Sequence, residues 1–308
     1  MSLQSRIARE LLISTQYVSV ITRSASKRYY EYAVRKRSGR GYRTIFHPSR
    51  ELKALQRWLL FNVIESWPVH SAAQAYRPDA SVRKNASLHA NNAFLLKLDF
   101  DTFFPSISRD DVAAYLERGP AARLRWNHRD IWTFTSLVCH RNQLTIGAPT
   151  SPALSNALCY ELDVRVSAWA SALGITYSRY ADDITLSCNQ RNVLRDAPDF
   201  VAAVLPTLYV PRRLRLNDTK TRHLSRKNRV VITGLIVTPQ GHLSIGRAKK
   251  REIRSKIHSY ASLDVAEKRS LAGLLAHAIH VEPDLLNRLI IKFGYDAVKT
   301  ARTPPAQQ

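Results

Sequence analysis

The sequence predicts an α+β fold in which antiparallel hairpins and helices follow one another irregularly. Short alternating runs bounded by turn residues indicate paired strands, and apolar residues at helical spacing indicate amphipathic helices. These elements lack the regular alternation of a doubly wound parallel sheet. Of the 308 residues, 45% are hydrophobic, which is typical of a globular chain with a sizeable core.

The first ninety residues predict a helix, a hairpin and a second helix. Residues 5–22 indicate an amphipathic helix. "YYEYAV" and "YRTIF" alternate on either side of the basic stretch "RKRSGRG", whose glycines predict a hairpin loop. Behind a Ser49 cap, a helix is then predicted from the apolar spacing of Leu52, Leu55, Leu59 and Val63.

The middle of the chain predicts a strand that ends in acid, followed by helices. "AFLLKLDFD" is an apolar strand, and Ser108 with Asp111 forms a capping-box pattern for the next helix. "GAPTSPALSN" predicts a glycine-bearing turn into one long helix, with Ser151 at the cap and Pro152 at the first position. Its predicted buried stripe comprises Leu154, Leu158, Leu162, Val166 and Trp169.

The remainder predicts strands followed by helices. "ITYSRY" and "ITLS" flank the pair Asp182–Asp183, and a helix is expected near 192–207. "LRLN", "RHLS" and "VVITGLIV" indicate strands, with a turn at 239–241. The last sixty residues are expected to be mostly helical.

The charge balance favours a polyanionic partner. Lys and Arg outnumber Asp and Glu by 47 to 24, giving a net charge of +23. Residues 20–60 hold eleven basic side chains, and residues 210–256 hold fourteen. Nucleic acid is the leading candidate partner, and an acidic membrane surface is the second.

The termini and cysteines indicate a reducing compartment. The N-terminal stretch "MSLQSRIARELL" carries charges where a signal peptide needs an apolar core, and no apolar run is long enough to span a bilayer. Three widely spaced cysteines without a CxxC pair indicate neither a disulfide framework nor a zinc site. We expect a cytoplasmic protein with no membrane partner.

Acidic residues interrupt strongly apolar surroundings at two places. Asp99 ends a strand, and Asp182 and Asp183 lie at a hairpin tip. Convergence of the three carboxylates would make a hard oxygen site suited to Mg²⁺ shared with phosphates. An isolated Asp-Asp pair is more often a surface turn, so the surrounding sequence must decide.

Four stretches occur in an order that resembles the motifs of reverse transcriptases. They are "LDFDTFFPSI", "GAPTSPALSN", "RYADDITLS" and "RLNDTKT". The resemblance covers roughly residues 30–260 and implies a right-hand polymerase with fingers, palm and thumb. It implies an N-terminal region and fingers in 1–92, a palm in 93–236 with finger elements near 120–150, and a thumb or RNA-binding region in 237–308.

The resemblance assigns the catalytic residues. Asp99, Asp182 and Asp183 match the family's metal-binding carboxylates, which hold two Mg²⁺ ions, with Mn²⁺ as the alternative. Alternation along the strand leaves Asp101 open as well, whereas the family pattern selects Asp99 by its distance from the two phenylalanines that follow. Lys220 matches the lysine near the pyrophosphate, where an ammonium protonates the leaving group.

It also implies a dNTP-binding set. Phe104 matches the bulky residue beneath the incoming sugar, with palm core as its alternative role, and Arg43 matches a finger arginine for the triphosphate, with Lys36 and Arg37 as helpers. The small residues Gly147, Ala148 and Pro149 are expected to let the backbone approach the nascent pair. Ile146 stands where many reverse transcriptases carry glutamine, which puts a polar contact to substrate or template in doubt.

Two further stretches resemble retron reverse transcriptases. Asn85-Ala86-x-x-His89 resembles their NAxxH element, in which we assign His89 a structural role, and Ile232-Thr233-Gly234 resembles their VTG sequence. The resemblance implies a structured noncoding RNA (msr-msd) as primer and template, priming from the 2′-hydroxyl of an internal guanosine, and branched msDNA as product. It implies an effector protein partner in anti-phage defence. The implied RNA-binding residues are Thr233, Gly234, Arg247, Lys249, Lys250, Arg251 and Arg254.

Two other interpretations remain open at the level of sequence. A reverse transcriptase of another bacterial group, intron-like or diversity-generating, would prime from a 3′-hydroxyl. A catalytically inactive relic would bind RNA alone, although the intact set of Asp99, Asp182 and Asp183 speaks against it.

Overall fold

A computed structural model of the chain describes residues 1–35 and 41–303. The predicted helper residues Lys36 and Arg37, with most of the predicted hairpin loop, lie outside the described residues. The α-helices of the described residues are α1 Leu3–Glu10, α2 Thr15–Ser24, α3 Arg50–Asn62, α4 Val82–His89, α5 Phe103–Ser106, α6 Arg109–Arg118, α7 Pro120–Leu124, α8 His128–Val138, α9 Ser151–Leu158, α10 Tyr160–Ala172, α11 Ala197–Val204, α12 Arg247–His258, α13 Val265–Val281, α14 Asp284–Phe293 and α15 Tyr295–Arg302. The strands are β1 Tyr29–Arg35, β2 Tyr42–Pro48, β3 Phe94–Asp99, β4 Thr176–Tyr180, β5 Asp183–Cys188, β6 Arg222–Ser225, β7 Val230–Ile232, β8 Leu235–Val237 and β9 Leu243–Ser244.

These strands form three small sheets, which confirms the predicted α+β class. Strands β1 and β2 pair antiparallel, with Val34 opposite Arg43. A four-stranded sheet has the order β4–β5–β3–β6, and a three-stranded antiparallel sheet has the order β7–β8–β9. Among the described residues, no helix combines the length and apolar character needed to cross a membrane.

The chain divides into two compact units. The first comprises Met1–Asp79, Leu96–Leu186 and Asn192–Arg222, and the second comprises Ala80–Leu95, Ser187–Arg191 and His223–Gln308. Each unit therefore draws on separate stretches of sequence. The finger, palm and thumb boundaries expected from the family resemblance stay a prediction.

Two helices predicted as single in the first unit are each interrupted. Residues 5–22 form α1 and α2, because Leu12 adopts a left-handed φ of 55° and the Ser14 hydroxyl caps α2 by accepting from the Tyr17 N–H. The helix predicted from Ser151 is divided into α9 and α10 at Cys159, whose ψ of 6° is not helical. It is capped by Thr150, so Pro152 lies one position further in than predicted.

The predicted apolar stripes of the first unit are confirmed. Leu52, Leu55 and Leu59 of α3 are buried, and the capping box at Ser108 and Asp111 is present. The stripe of α9 and α10 is buried at Leu154, Leu158, Leu162 and Val166, whereas Trp169 is half-buried and stacks on Phe200 at a ring distance of 4.3 Å.

The segment predicted as strand "LRLN" joins the end of β3 without forming a regular strand. It makes one isolated bridge, between Leu216 and Phe100. The Asp101 N–H donates to the Arg215 carbonyl at 2.9 Å, and the Asn217 N–H donates to the Asp99 carbonyl at 2.8 Å. These bonds hold the chain that leads to Lys220 beside the carboxyl end of β3.

The second unit has its own core, built from a small sheet and the C-terminal helices. Ile232 and Leu235 are buried together with Ile253 of α12 and Leu275 of α13. The predicted strand "VVITGLIV" is two strands, β7 and β8. Thr233 and Gly234 connect them in left-handed conformations with φ of 45° and 83°, as a two-residue hairpin requires.

Candidate active site

The pair Asp182–Asp183 lies at the connection between β4 and β5 in the first unit. Only Ala181 and Asp182 separate the two strands, and Ala181 has a φ of 57°. We call residues 180–183 the catalytic turn, after the role that the family resemblance predicts for Asp182 and Asp183. The Phe100 N–H donates to the Asp182 carbonyl at 3.2 Å, so the end of β3 is bound to this turn through the backbone.

Asp99 lies at the end of β3, and Lys220 reaches it. The Lys220 ammonium forms an ion pair with Asp99 Oδ1, although the two residues are 121 positions apart. The Asp99 side chain is only 13% exposed, whereas Asp101 is exposed. The charge of Asp99 also acts on Asp182 and Asp183, so the structure brings Asp99 near this turn.

The three carboxylates influence one another electrostatically. Burial and the charge of Asp99 raise the pKa of Asp182, against the lowering effects of Lys220 and Arg43. Burial raises the pKa of Asp183 to about 6; Lys97 opposes this shift, and Asp182 and Asp99 add to it. Negative charges crowded in a partly desolvated place attract cations.

This site suits a divalent cation in the type of its donors. Carboxylate oxygens are the ligands that hard cations such as Mg²⁺ prefer. In the part of the chain that the structure describes, however, no three His, Cys, Asp or Glu side chains are arranged to hold one ion together. Here the Lys220 ammonium provides the positive charge at Asp99.

The predicted dNTP-binding residues Arg43 and Phe104 lie in the same unit. Arg43 projects from β2 and lowers the pKa of Asp182, so its charge acts on the catalytic turn. Phe104 is half-buried at the start of α5, and its ring lies 5.3 Å from that of Phe103 and 6.4 Å from that of Tyr76.

Tyr76 is a neighbour of this site that the sequence did not reveal. It has a left-handed φ of 58°, and burial together with the charge of Asp182 raises the pKa of its hydroxyl. Its segment, "AYRPDA", contains a proline but no motif that points to an active site. Only the fold places its ring beside Phe104.

The glycine turn at 147 packs against strand β2. A Cβ on Gly147, whose φ is 115°, would lie 2.5 Å from the Phe46 carbonyl oxygen. The Phe46 N–H donates to the Ile146 carbonyl at 2.8 Å, which ties β2 to this turn. Glycine is therefore needed here for the approach of the hairpin strand. Ala148 is buried and Pro149 is half-buried.

His89 has the structural environment that we expected for it. In the second unit its Nδ1 hydrogen-bonds the Ser187 hydroxyl at 2.7 Å, and the Asn92 amide donates to the same hydroxyl at 2.7 Å. Burial lowers the pKa of His89 to about 3, which keeps the ring neutral at physiological pH.

The predicted RNA-binding residues lie in the second unit. Arg247, Arg251 and Arg254 are exposed, and their spacing places them on one face of α12. Lys249 is half-exposed, whereas the Lys250 ammonium binds Glu282 at 2.6 Å. The hairpin turn at Thr233 and Gly234 is tied to α4, since the Thr233 hydroxyl donates to the Val82 carbonyl at 3.2 Å.

Comparison with known proteins identifies the class of this chain. Residues 34–237 match the family described as "Reverse transcriptase (RNA-dependent DNA polymerase)". A telomerase structure from Candida albicans, in complex with a fragment of telomeric RNA, superposes with a TM-score of 0.51 at 12% identity. It covers 92% of this chain and 58% of that one, and it indicates a shared fold.

Relatives that match along most of this chain and most of their own length place it in a narrower group of proteins. The Escherichia coli retron Ec86 reverse transcriptase is 32% identical over 94% of this chain and 90% of its own length. The Ec83 enzyme is 31% identical over 92% of this chain and 93% of its own, and the Ec73 enzyme is 30% identical over 95% of each. The chain therefore belongs to the reverse transcriptases, and within them to the retron group. It is an RNA-directed DNA polymerase, which decides against the inactive relic.

Proposed function

We propose that this protein extends a DNA strand from a cognate structured RNA through the carboxylates of Asp99, Asp182 and Asp183. The observation that carries the proposal is the meeting of the end of β3, the catalytic turn and Lys220 in one unit. These groups come from distant parts of the sequence. Each matches a separate motif of the family.

The three carboxylates are proposed to hold two divalent cations, Mg²⁺ or alternatively Mn²⁺. Such ions supply Lewis acidity that activates the attacking hydroxyl and neutralises charge on the transferred phosphoryl group. The raised pKa values of Asp182 and Asp183 support this, because a nearby cation would offset the repulsion between the carboxylates.

The remaining residues of the site are proposed to bind and orient the nucleotide. Arg43 would hold the triphosphate with its guanidinium, and the ring of Phe104 would exclude a ribose 2′-hydroxyl by contact. Gly147, Ala148 and Pro149 would form the floor of this region, through the turn that is tied to β2. Lys220, whose side chain is 55% exposed and whose ammonium pairs with Asp99, would protonate the leaving pyrophosphate.

We further propose that the substrate is the retron's own noncoding RNA, with priming from the 2′-hydroxyl of an internal guanosine and msDNA as product. Membership in the retron group supports this choice over the 3′-primed alternatives. RNA recognition is assigned to α12 and to the hairpin turn at Thr233 and Gly234, since the exposed arginines suit a phosphate backbone. A retron effector protein as partner and a role in anti-phage defence are proposed on the same ground.

The test is to express the gene together with the DNA that flanks it, and then to extract small DNA molecules from the cells. We expect a branched RNA–DNA molecule whose RNA is joined to DNA through a 2′,5′ bond, and whose DNA is lost in Asp183→Asn. Asp101→Asn is the matched control, because that carboxylate is exposed and its loss should leave the product intact. A linear product primed from a 3′-hydroxyl would contradict the branched mechanism without affecting the polymerase assignment.

A further inference from the structure

A fully buried ion pair adjoins the catalytic turn. Arg179 of β4 and Asp163 of α10 are both 0% exposed. Arg179 Nε donates to Asp163 Oδ1 at 2.9 Å, and Nη2 donates to Oδ2 at 2.6 Å. The two parallel bonds fix the plane of the guanidinium.

The third nitrogen of this guanidinium binds the catalytic turn itself. Arg179 Nη1 donates to the Ala181 carbonyl at 3.2 Å. Ala181 has a φ of 57°, a left-handed conformation that residues with a Cβ adopt only at an energetic cost. A bond to the carbonyl of that residue favours this conformation over others, and the next two residues are Asp182 and Asp183.

Further hydrogen bonds hold Asp163 and the backbone of Arg179 in place. The Tyr177 hydroxyl donates to Asp163 at 2.7 Å. The Arg179 N–H donates to the Ala72 carbonyl at 2.8 Å, and the Gln74 N–H donates to the Arg179 carbonyl at 2.7 Å. Burial lowers the pKa of Arg179, but the Asp163 carboxylate outweighs this effect and raises it, so the guanidinium stays charged.

We propose that Arg179 is a positioning residue for DNA synthesis. Held by Asp163, its guanidinium fixes the Ala181 carbonyl and so sets the orientation in which Asp182 and Asp183 are presented. A buried ion pair contributes little net stability compared with an apolar pair of similar volume, so stability alone does not account for it. The proposal rests on the catalytic role proposed above for the two carboxylates.

Arg179→Lys is the first test, on a simple annealed primer and template. Lysine keeps the charge but cannot bind Asp163 and Ala181 at once with fixed geometry. We expect kcat to fall by about a hundredfold, because small misplacements of reacting groups reduce rates by this much. KM for dNTP and the Kd for RNA should change little. A wild-type kcat in this variant would overturn the proposal.

Tyr177→Phe separates positioning from stability. It removes one hydrogen bond to Asp163 but leaves the contact between Arg179 and Ala181 in place. We expect a lower Tm with kcat retained. If Arg179→Lys and Tyr177→Phe each lowered kcat in step with their loss of Tm, the network would be merely structural and the proposal would be wrong.

A variant that removes the whole network covers the case in which Arg179→Lys does not fold. Asp163→Leu, Tyr177→Phe and Arg179→Met together leave no uncompensated buried charge. This protein should melt near the wild-type Tm yet polymerise slowly, because the bond to the Ala181 carbonyl is gone. Synthesis at the wild-type rate would overturn the proposal.

Ala181→Gly tests the link through the turn. Glycine adopts a left-handed φ without strain, so the turn should depend less on the guanidinium. In a double-mutant cycle, Arg179→Lys should cost less rate in the Ala181→Gly background than in the wild type. Additive losses would contradict an action through Ala181.

Asp183→Asn is measured in parallel to separate this inference from the proposed function. If Asp183→Asn is inactive while Arg179→Lys has the wild-type rate, the positioning role alone fails. If Asp183→Asn retains the full rate, the catalytic role of the turn fails, and the positioning role falls with it.

Discussion

At the catalytic turn, charged groups are partly buried and close together. Asp99 is 13% exposed, and burial raises the pKa of both Asp182 and Asp183. Along α12, by contrast, Arg247, Arg251 and Arg254 are exposed to solvent. The first region concentrates its charges, and the second distributes them over a surface.

The difference determines how each region should respond to substitution. Charges in a partly desolvated cluster interact strongly, so the removal of one changes the behaviour of the rest. Exposed charges are screened by salt within about 8–10 Å, so each acts nearly independently. A single substitution at the turn should therefore abolish DNA synthesis. Substitutions along α12 should each lower RNA affinity by a part, and these losses should add.

The largest expected effect is at the turn. Asp182→Asn or Asp183→Asn should lower DNA synthesis by about 10⁴-fold, the scale of losing one member of a cooperating catalytic set. RNA affinity should persist, because the exposed arginines of α12 are unchanged. Primer extension and RNA binding by the same preparations are the measurements, with Asp101→Asn as control. Extension at the full rate by either variant would exclude the carboxylates from catalysis.

The next effect is at Lys220. Lys220→Gln should lower kcat by about 10²–10⁴-fold, the range for loss of a general acid. It also removes the cation that pairs with Asp99. Presteady-state incorporation separates the chemical step from product release. An unchanged chemical rate would show that the ammonium only balances the charge of Asp99.

A third effect concerns the choice of sugar. Phe104→Val should increase ribonucleotide incorporation relative to deoxynucleotides by about tenfold to a hundredfold, through loss of steric exclusion. The measurement is the ratio of kcat/KM for rNTP and dNTP, with Phe103→Val as the matched control in the adjacent buried position. An unchanged ratio, with a lower Tm, would show that Phe104 serves the core.

The sequence singled out Asp99, Asp182 and Asp183, which the structure places near one another, and their catalytic role stays a prediction. Asp99 and the pair Asp182–Asp183 interrupt apolar strands, where an acidic side chain is rarely buried unless it is paired. Their order along the chain matched a known series of motifs. Tyr76 and the pair Arg179–Asp163 were missed, because their contacts depend on how distant segments pack.

Lys250 shows the same limit in the second region. Its sequence neighbours are basic, so it was grouped with the RNA-binding residues. Glu282, more than thirty positions later, accepts from the Lys250 ammonium and from the Ile245 N–H. Burial raises the pKa of Glu282, but these bonds outweigh it and lower the pKa. Charge reversal at Lys250 would place a second carboxylate against that of Glu282. It would therefore test folding more than RNA binding.

The smallest and most graded effect is therefore expected from Arg247, Arg251 and Arg254 alone. Reversing all three to Glu should weaken binding of the cognate RNA about tenfold or more and make log K less dependent on log salt, by about 0.7–0.9 per lost phosphate contact. Extension of a simple annealed primer should continue, because Asp99, Asp182 and Asp183 are unchanged. Single reversals should each give part of the loss, in contrast to the turn. Lys292→Glu and Lys299→Glu, on α14 and α15, are the matched controls for charge in the same unit. Equal losses on the cognate RNA and on the simple primer would mean that α12 grips any template, and its role in RNA choice would be wrong.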